Sequence, residues 1–194
     1  MRCLYCDQDI KKISIYSFIF KEDSLCIDCR SKMIKNHKKI KIDKLEIESF
    51  YDYNSLFKSL IIQYKECYDE LLSEVFLYGI KEYINIKYRD YKIIYMPSSK
   101  EKLNKRGFNH LQLIFEELDL EVIGGLRYKE EFIQQGKNIN ERAKMKDNFI
   151  YEGDRLDKVL IVDDVLTTGS SVVGAYKALK PYCKVIKALV LASV

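Results

Sequence analysis

The chain has 194 residues, 47% of them hydrophobic and 32% charged, which predicts one ordinary folded domain plus a small module and argues against disorder. No apolar run approaches the roughly 18 to 20 residues of a membrane span, and the opening MRCLYCDQDI lacks a signal-peptide layout, so a cytoplasmic protein is expected. The net charge of +4 is uneven: residues 1–45 hold 11 Lys and Arg against 6 Asp and Glu, the remainder 22 against 23.

Cys3-x-x-Cys6 and Cys26-x-x-Cys29 are separated by 19 residues. Two such pairs in a reduced compartment point to a closed four-thiolate zinc site rather than disulfides. Between them KKISIYSFIF alternates as a strand or hairpin does. A structural zinc would fold a ribbon too small for a core of its own. Cys67 and Cys183 lack such partners and read as small buried hydrophobes. RSKMIKNHKKIKIDK, residues 30–44, is a basic connector, partly helical and then extended.

Over residues 51–88 the spacing of Leu56, Leu60 and Tyr64, then Leu71, Val75, Phe76, Ile80 and Tyr83, predicts two amphipathic helices. YKIIYMP is a short strand closed by Pro97, followed by a polar loop with Ser98, Ser99 and Lys100 and a helix over about 107–118. A strand is expected around 122–126 and a brief one near Phe149. The polar run 129–147 between them reads as a mobile lid, in which the fork of Arg142 suits an anion. KVLIVDD is the continuous apolar run of a strand buried on both faces, SSVVGAYKALK is helical, and KVIKALVLASV is a last strand. Strands alternating with helices predict an α/β fold with a parallel sheet flanked by helices. The chain then divides into a ribbon with its connector (1–40), a helical hood (41–90) and an α/β core (91–194).

Ligands of such sheets bind beyond the carboxyl ends of the strands, where Asp163 and Asp164 emerge. Val165 and Leu166 lead into Thr167, Thr168, Gly169, Ser170 and Ser171, whose free N–H groups at a helix start suit a phosphate. Two carboxylates cannot share that anion. They suit a vicinal diol, with Mg²⁺ held by the diol and a neighbouring pyrophosphate. Phosphoribosyl pyrophosphate (PRPP) has these parts; the plainer alternative is an Asp-rich turn before a Thr/Ser-capped helix.

LIVDDVLTTGSS resembles the PRPP signature of type I phosphoribosyltransferases throughout its length. That resemblance implies that Asp163 and Asp164 hold the ribose hydroxyls, residues 167–171 the 5-phosphate, and Ser98, Ser99 and Lys100 the pyrophosphate loop. It also marks Thr167, where purine-salvage members carry an acid. A four-cysteine ribbon before such a domain resembles the ComF family over essentially the whole chain. KRGFNH, with Arg106, Gly107, Phe108 and Asn109, is similar to that family's RGFNQ stretch, with His110 in place of Gln. Gln134, eight residues before Arg142, matches its lid, whereas Met145 stands where the family usually has Asn.

The family resemblance implies a part in natural transformation, with single-stranded DNA and competence or recombination proteins as partners. The basic connector and Tyr5, Tyr16, Phe18 and Phe20 are available to phosphates and bases, or equally to a solvated face and a small core. Nucleobase salvage and a non-catalytic PRPP sensor are the competing readings, and the hood carries no recognisable base-reading pattern. His37 and His110, the two histidines, have no acidic or nucleophilic neighbour in sequence, so a surface or packing role is expected of each.

Overall fold

The computed structural model describes residues 1–10, 23–129 and 149–194, without the Lys100 side chain. Six strands form one sheet in the order β1 (Lys35–Ile42), β2 (Leu45–Asp52), β8 (Cys183–Ser193), β7 (Leu156–Leu166), β3 (Lys92–Tyr95) and β4 (Val122–Ile123). Only β1 runs antiparallel to its neighbour; the other pairings are parallel. The expected α/β architecture is therefore present. β7 and β8 lie at its centre for the reason their sequences suggest: residues 159–162 and 188–192 are wholly buried, as strands covered on both faces require.

Seven α-helices accompany the sheet among the described residues: α1 (Ile27–Lys32), α2 (Ser55–Glu66), α3 (Ser73–Leu77), α4 (Lys81–Tyr88), α5 (Lys100–Arg106), α6 (His110–Phe115) and α7 (Ser170–Leu179). A short antiparallel pair, β5 (Leu126–Tyr128) and β6 (Phe149–Tyr151), packs on α7. These two strands bracket the expected lid, so Gln134 and Arg142 lie outside the described residues, as do Tyr16, Phe18 and Phe20.

The basic connector is helical and then extended, as expected: α1 is followed by β1, which is the edge strand of the main sheet, paired residue for residue with β2 from Lys38↔Ser49 to Ile42↔Leu45. Its lysines blunt an edge that would otherwise recruit another strand. Other expectations need correction. Of the two long hood helices only α2 forms as one piece, started by Asn54, whose side chain accepts from the Phe57 N–H at 2.9 Å. Tyr51 belongs to β2. The second helix is divided into a 3-10 turn, α3 and α4. Consequently Leu71 is 64% and Tyr83 40% exposed, while Leu72 and Ile84 are buried. The strand expected around 122–126 is likewise two strands in different sheets, divided at Gly124-Gly125. Cys67 is exposed at the end of α2 rather than buried, and Cys183 is half-buried.

The aromatic side chains of the hood pack on one another. Phe57, Phe76, Tyr64 and Phe108 form a chain of ring contacts at 5.6–5.7 Å, and Tyr64 donates to the His110 carbonyl at 2.7 Å. They hold α2, α3 and the start of α6 together and so fix the hood over the end of β7.

Candidate functional site

The chain leaves β3 for α5, α6 and β4 on one side, and leaves β7 for α7 and β8 on the other. Because β3 and β7 are neighbours, the crevice between their carboxyl ends is the topological switch point of the sheet. The pairing Tyr95↔Val162 brings Pro97 to the level of Asp164 and carries Ser98 and Ser99 past it. Ser99 caps α5, its hydroxyl accepting from the Lys102 N–H at 3.4 Å. A pocket of about 290 Å³ lies beside this turn, lined among others by Tyr95, Pro97, Ser98, Asn109 and Arg127.

On the other side of the crevice β7 extends farther than its apolar run suggests, with Asp163↔Val190 and Val165↔Ala192 still in the ladder. Adjacent strand residues point to alternate faces. The Asp163 carboxylate accepts the Asp164 N–H at 2.9 Å, and burial pushes its pKa up to about 6 against the pull of Lys65. Asp164 is buried at 6% exposure. Its Oδ2 accepts from His110 Nε2 at 3.0 Å and is ion-paired with Lys65 of α2.

KRGFNH builds that contact. Arg106 is the last residue of α5; Gly107, at φ +82°, ends the helix in the left-handed region that suits glycine. Phe108 packs on Tyr64. Asn109 caps α6, accepting from the N–H groups of Leu111 at 3.2 Å and Gln112 at 3.4 Å. His110 then begins α6 facing Asp164. The almost fully buried Arg106 guanidinium donates to the Lys65 carbonyl at 3.0 Å and to His110 Nδ1 at 2.9 Å. Arginine only donates, so Nδ1 accepts, and the imidazole is neutral with its proton on Nε2. Burial, with Lys65, Arg106 and Lys102 nearby, lowers the His110 pKa to about 2. The surface or packing role expected of His110 is thus incomplete, because the fold supplies the acidic neighbour that the sequence lacks. His37 remains at the surface, stacked on Phe50 at 4.9 Å.

After Leu166 the loop of Thr167, Thr168 and Gly169 leads into α7. Gly169 sits at φ +76° in the helix-capping position and offers no capping side chain of its own. Thr168 Oγ1 lies 2.9 Å from Ser170 Oγ and accepts the Ser170 N–H at 3.4 Å. Hydroxyls and first-turn amides are thereby gathered at one helix start, next to two carboxylates, in an arrangement suited to an anion bonded to a polyol.

The four paired cysteines also come together. The sulfurs of Cys3, Cys6, Cys26 and Cys29 lie within 4.8 Å of one another, and those of Cys6 and Cys26 are 3.6 Å apart. A tetrahedral zinc with Zn–S near 2.3 Å requires edges of about 3.8 Å, so the donor set fits the ion. The first pair occupies a turn closed by Asp7 N–H to the Cys3 carbonyl at 2.9 Å; the second flanks the start of α1, with Arg30 N–H to the Cys26 carbonyl at 2.8 Å. Arg30 fixes this module to the hood: it makes two 2.6 Å bonds to Asp23, donates to the Val75 carbonyl at 3.1 Å and lies over Tyr78. Tyr5, 37% exposed, donates to Ser59 of α2 at 3.3 Å.

Lys65 and Arg127 were not singled out by the sequence. KECYDE and LRYKE carry no pattern, and only the hood's packing brings Lys65 to the strand end. No protein-family model matches the chain. It is 28% identical over 199 residues to the competence protein ComFC of Streptococcus pneumoniae (strain ATCC BAA-255 / R6), a match covering 89% of this chain and 90% of that protein. The likeness read from the cysteine pairs, KRGFNH and LIVDDVLTTGSS therefore extends along nearly the whole length, and the chain is a homologue of a ComFC competence protein.

Proposed function

We propose that this chain is a competence-associated protein that binds phosphoribosyl pyrophosphate with Mg²⁺ at the β3/β7 crevice and takes single-stranded DNA as its macromolecular partner. The observation that carries the ligand is the union, at one strand end, of a two-carboxylate step and a hydroxyl-rich helix start whose N-cap is a glycine with no side chain to occupy the first-turn amides. Asp163 and Asp164 receive the ribose hydroxyls, Thr167 to Ser171 the 5-phosphate, and Ser98, Ser99 and Lys100, at the entry to α5 rather than in a continuing loop, the pyrophosphate. Mg²⁺, entering with the ligand, would offset the charge of the pyrophosphate. The name of the pneumococcal relative supports the competence role.

For a polyanionic partner the support is electrostatic. Lys35, Lys39 and Lys41 are exposed along the edge strand β1, and Lys44, Lys180, Lys184 and Lys187 line a pocket of about 480 Å³ at the other end of the sheet from the crevice. Lys184 and Lys187 already pair with Asp157 and Glu46, so this surface is moderately rather than intensely basic. Binding through it is expected to weaken steeply with salt.

Asp164→Asn is expected to weaken Mg²⁺-dependent PRPP binding roughly tenfold or more, since a charged acceptor becomes a neutral one. Isothermal calorimetry checks this, and unchanged affinity would remove Asp164 from the site. Pyrophosphate release across a panel of free bases, with and without single-stranded DNA, separates a transferase from a ligand-gated DNA-handling module. The Asp163→Asn/Asp164→Asn double variant is the blank.

A further inference from the structure

Asp164 is held from two sides before any ligand arrives. His110 Nε2 and Lys65 Nζ both reach Oδ2; among the described residues no partner is seen for Oδ1. We propose that Lys65 is a positioning residue, whose ammonium, together with the His110 N–H, pins the Asp164 carboxylate by Oδ2 and leaves Oδ1 for a sugar hydroxyl. The inference rests on reading the crevice as a PRPP site and adds to it a residue from the hood.

The surroundings argue that Lys65 is placed for its charge rather than for stability. It is half-buried, with Arg106 and Lys102 of α5 adding like charge, Asp163 and Asp164 of β7 and Glu66 of its own helix opposing them, and neutral His110 of α6 alongside. Burial is the largest influence, and it lowers the Lys65 pKa to about 8. A partly buried ion pair among other cations returns little net stability. What it does supply is a counter-ion that lets two neighbouring carboxylates stay ionised while a polyanion docks beside them. Because the cation belongs to α2, hood position and carboxylate geometry are coupled: a shift of α2 would free Asp164 to rotate.

Lys65 loses its charge as pH rises through about 8, so ligand affinity should fall on that alkaline limb. The test uses the full chain as wild type, Lys65→Met and Lys65→Arg. Calorimetric titrations with PRPP and with ribose 5-phosphate run from pH 6.5 to 9.5 at fixed Mg²⁺, and the Asp164 carboxyl is titrated by carbon NMR without ligand. Lys65→Met is expected to bind roughly tenfold more weakly at pH 7 and to lose the alkaline limb. Lys65→Arg should keep the affinity and, always charged, also lack the limb. The Asp164 titration should move up by about one unit or more in Lys65→Met and not in Lys65→Arg. Wild-type affinity with an intact limb in Lys65→Met, or an unmoved Asp164 titration, overturns the proposal. If wild type binds neither probe at any pH, the PRPP reading fails by itself, and the carboxyl titration still decides the role of Lys65.

Discussion

Cys29→Ser is expected to release the metal and to destabilise the protein by about 4 kcal/mol or more, the scale at which loss of a structural metal belongs. The reason is how little else the module contains. Among its described residues the buried apolar side chains are Cys3, Leu25, Cys26, Cys29 and Met33, so three of the five are themselves ligands. Without a central ion the thiols offer weak packing and no cross-link between the Cys3–Cys6 turn and α1. Wild type purified without added metal should carry about one zinc per chain, and chelation should lower its melting temperature as Cys29→Ser does. The damage should reach the hood, because Arg30, Tyr5 and Ser24 bind Val75, Ser59 and Glu74 there. Metal analysis and thermal melts check both effects. A metal-free chain with its fold and melting point intact would refute the zinc site.

Both ends of the candidate site were legible in the sequence because local chemistry specifies them. Cys3-x-x-Cys6 and Cys26-x-x-Cys29 need only a turn and a helix start to converge, and a continuous apolar run before Asp163 and Asp164 has to be a buried strand in a parallel sheet. What lay between them was not legible. The lysine-rich stretch after α1 reads as extended, yet nothing in its charge says that it joins the main sheet and closes its edge. In the hood, apolar spacing identifies helical residues but not where the helix breaks: Leu71 and Tyr83 fit the spacing, yet Leu72 and Ile84 occupy the core. Lys65 and His110 are 45 positions apart in sequence and meet only because aromatic packing sets α2 over β7. Such contacts come from tertiary structure alone, and a lysine within KECYDE carries no mark of them.

His110→Gln is expected to keep the stability of the wild type near pH 7.5 and to exceed it in acid by about 2 kcal/mol at pH 5. In the folded protein the imidazole sits neutral between a guanidinium and a carboxylate, and its pKa is lowered to about 2, against about 6.5 in the unfolded chain. Below pH 6.5 the unfolded state therefore binds a proton that the folded state refuses. Stability is lost as pH falls through 6.5, at up to about 1.4 kcal/mol per pH unit. Glutamine, the residue at this position in the family stretch that KRGFNH resembles, does not titrate. Its amide offers the same two functions: a carbonyl to accept from Arg106, and an N–H to donate to Asp164 Oδ2. Other carboxylates titrate alike in both proteins, so the difference between their urea-unfolding free energies at pH 7.5 and pH 5 isolates His110. His110→Leu, which takes the acceptor from the buried Arg106 Nη1 and leaves Asp164 Oδ2 with Lys65 alone, should instead cost about 1–3 kcal/mol at neutral pH. Equal acid slopes in wild type and His110→Gln would mean that the imidazole is protonated in the folded protein as readily as in the unfolded chain, and so is charged at pH 5. Arg106 Nη1 and His110 Nδ1 would then face each other as two donors, and the neutral tautomer assigned from their 2.9 Å contact would be wrong.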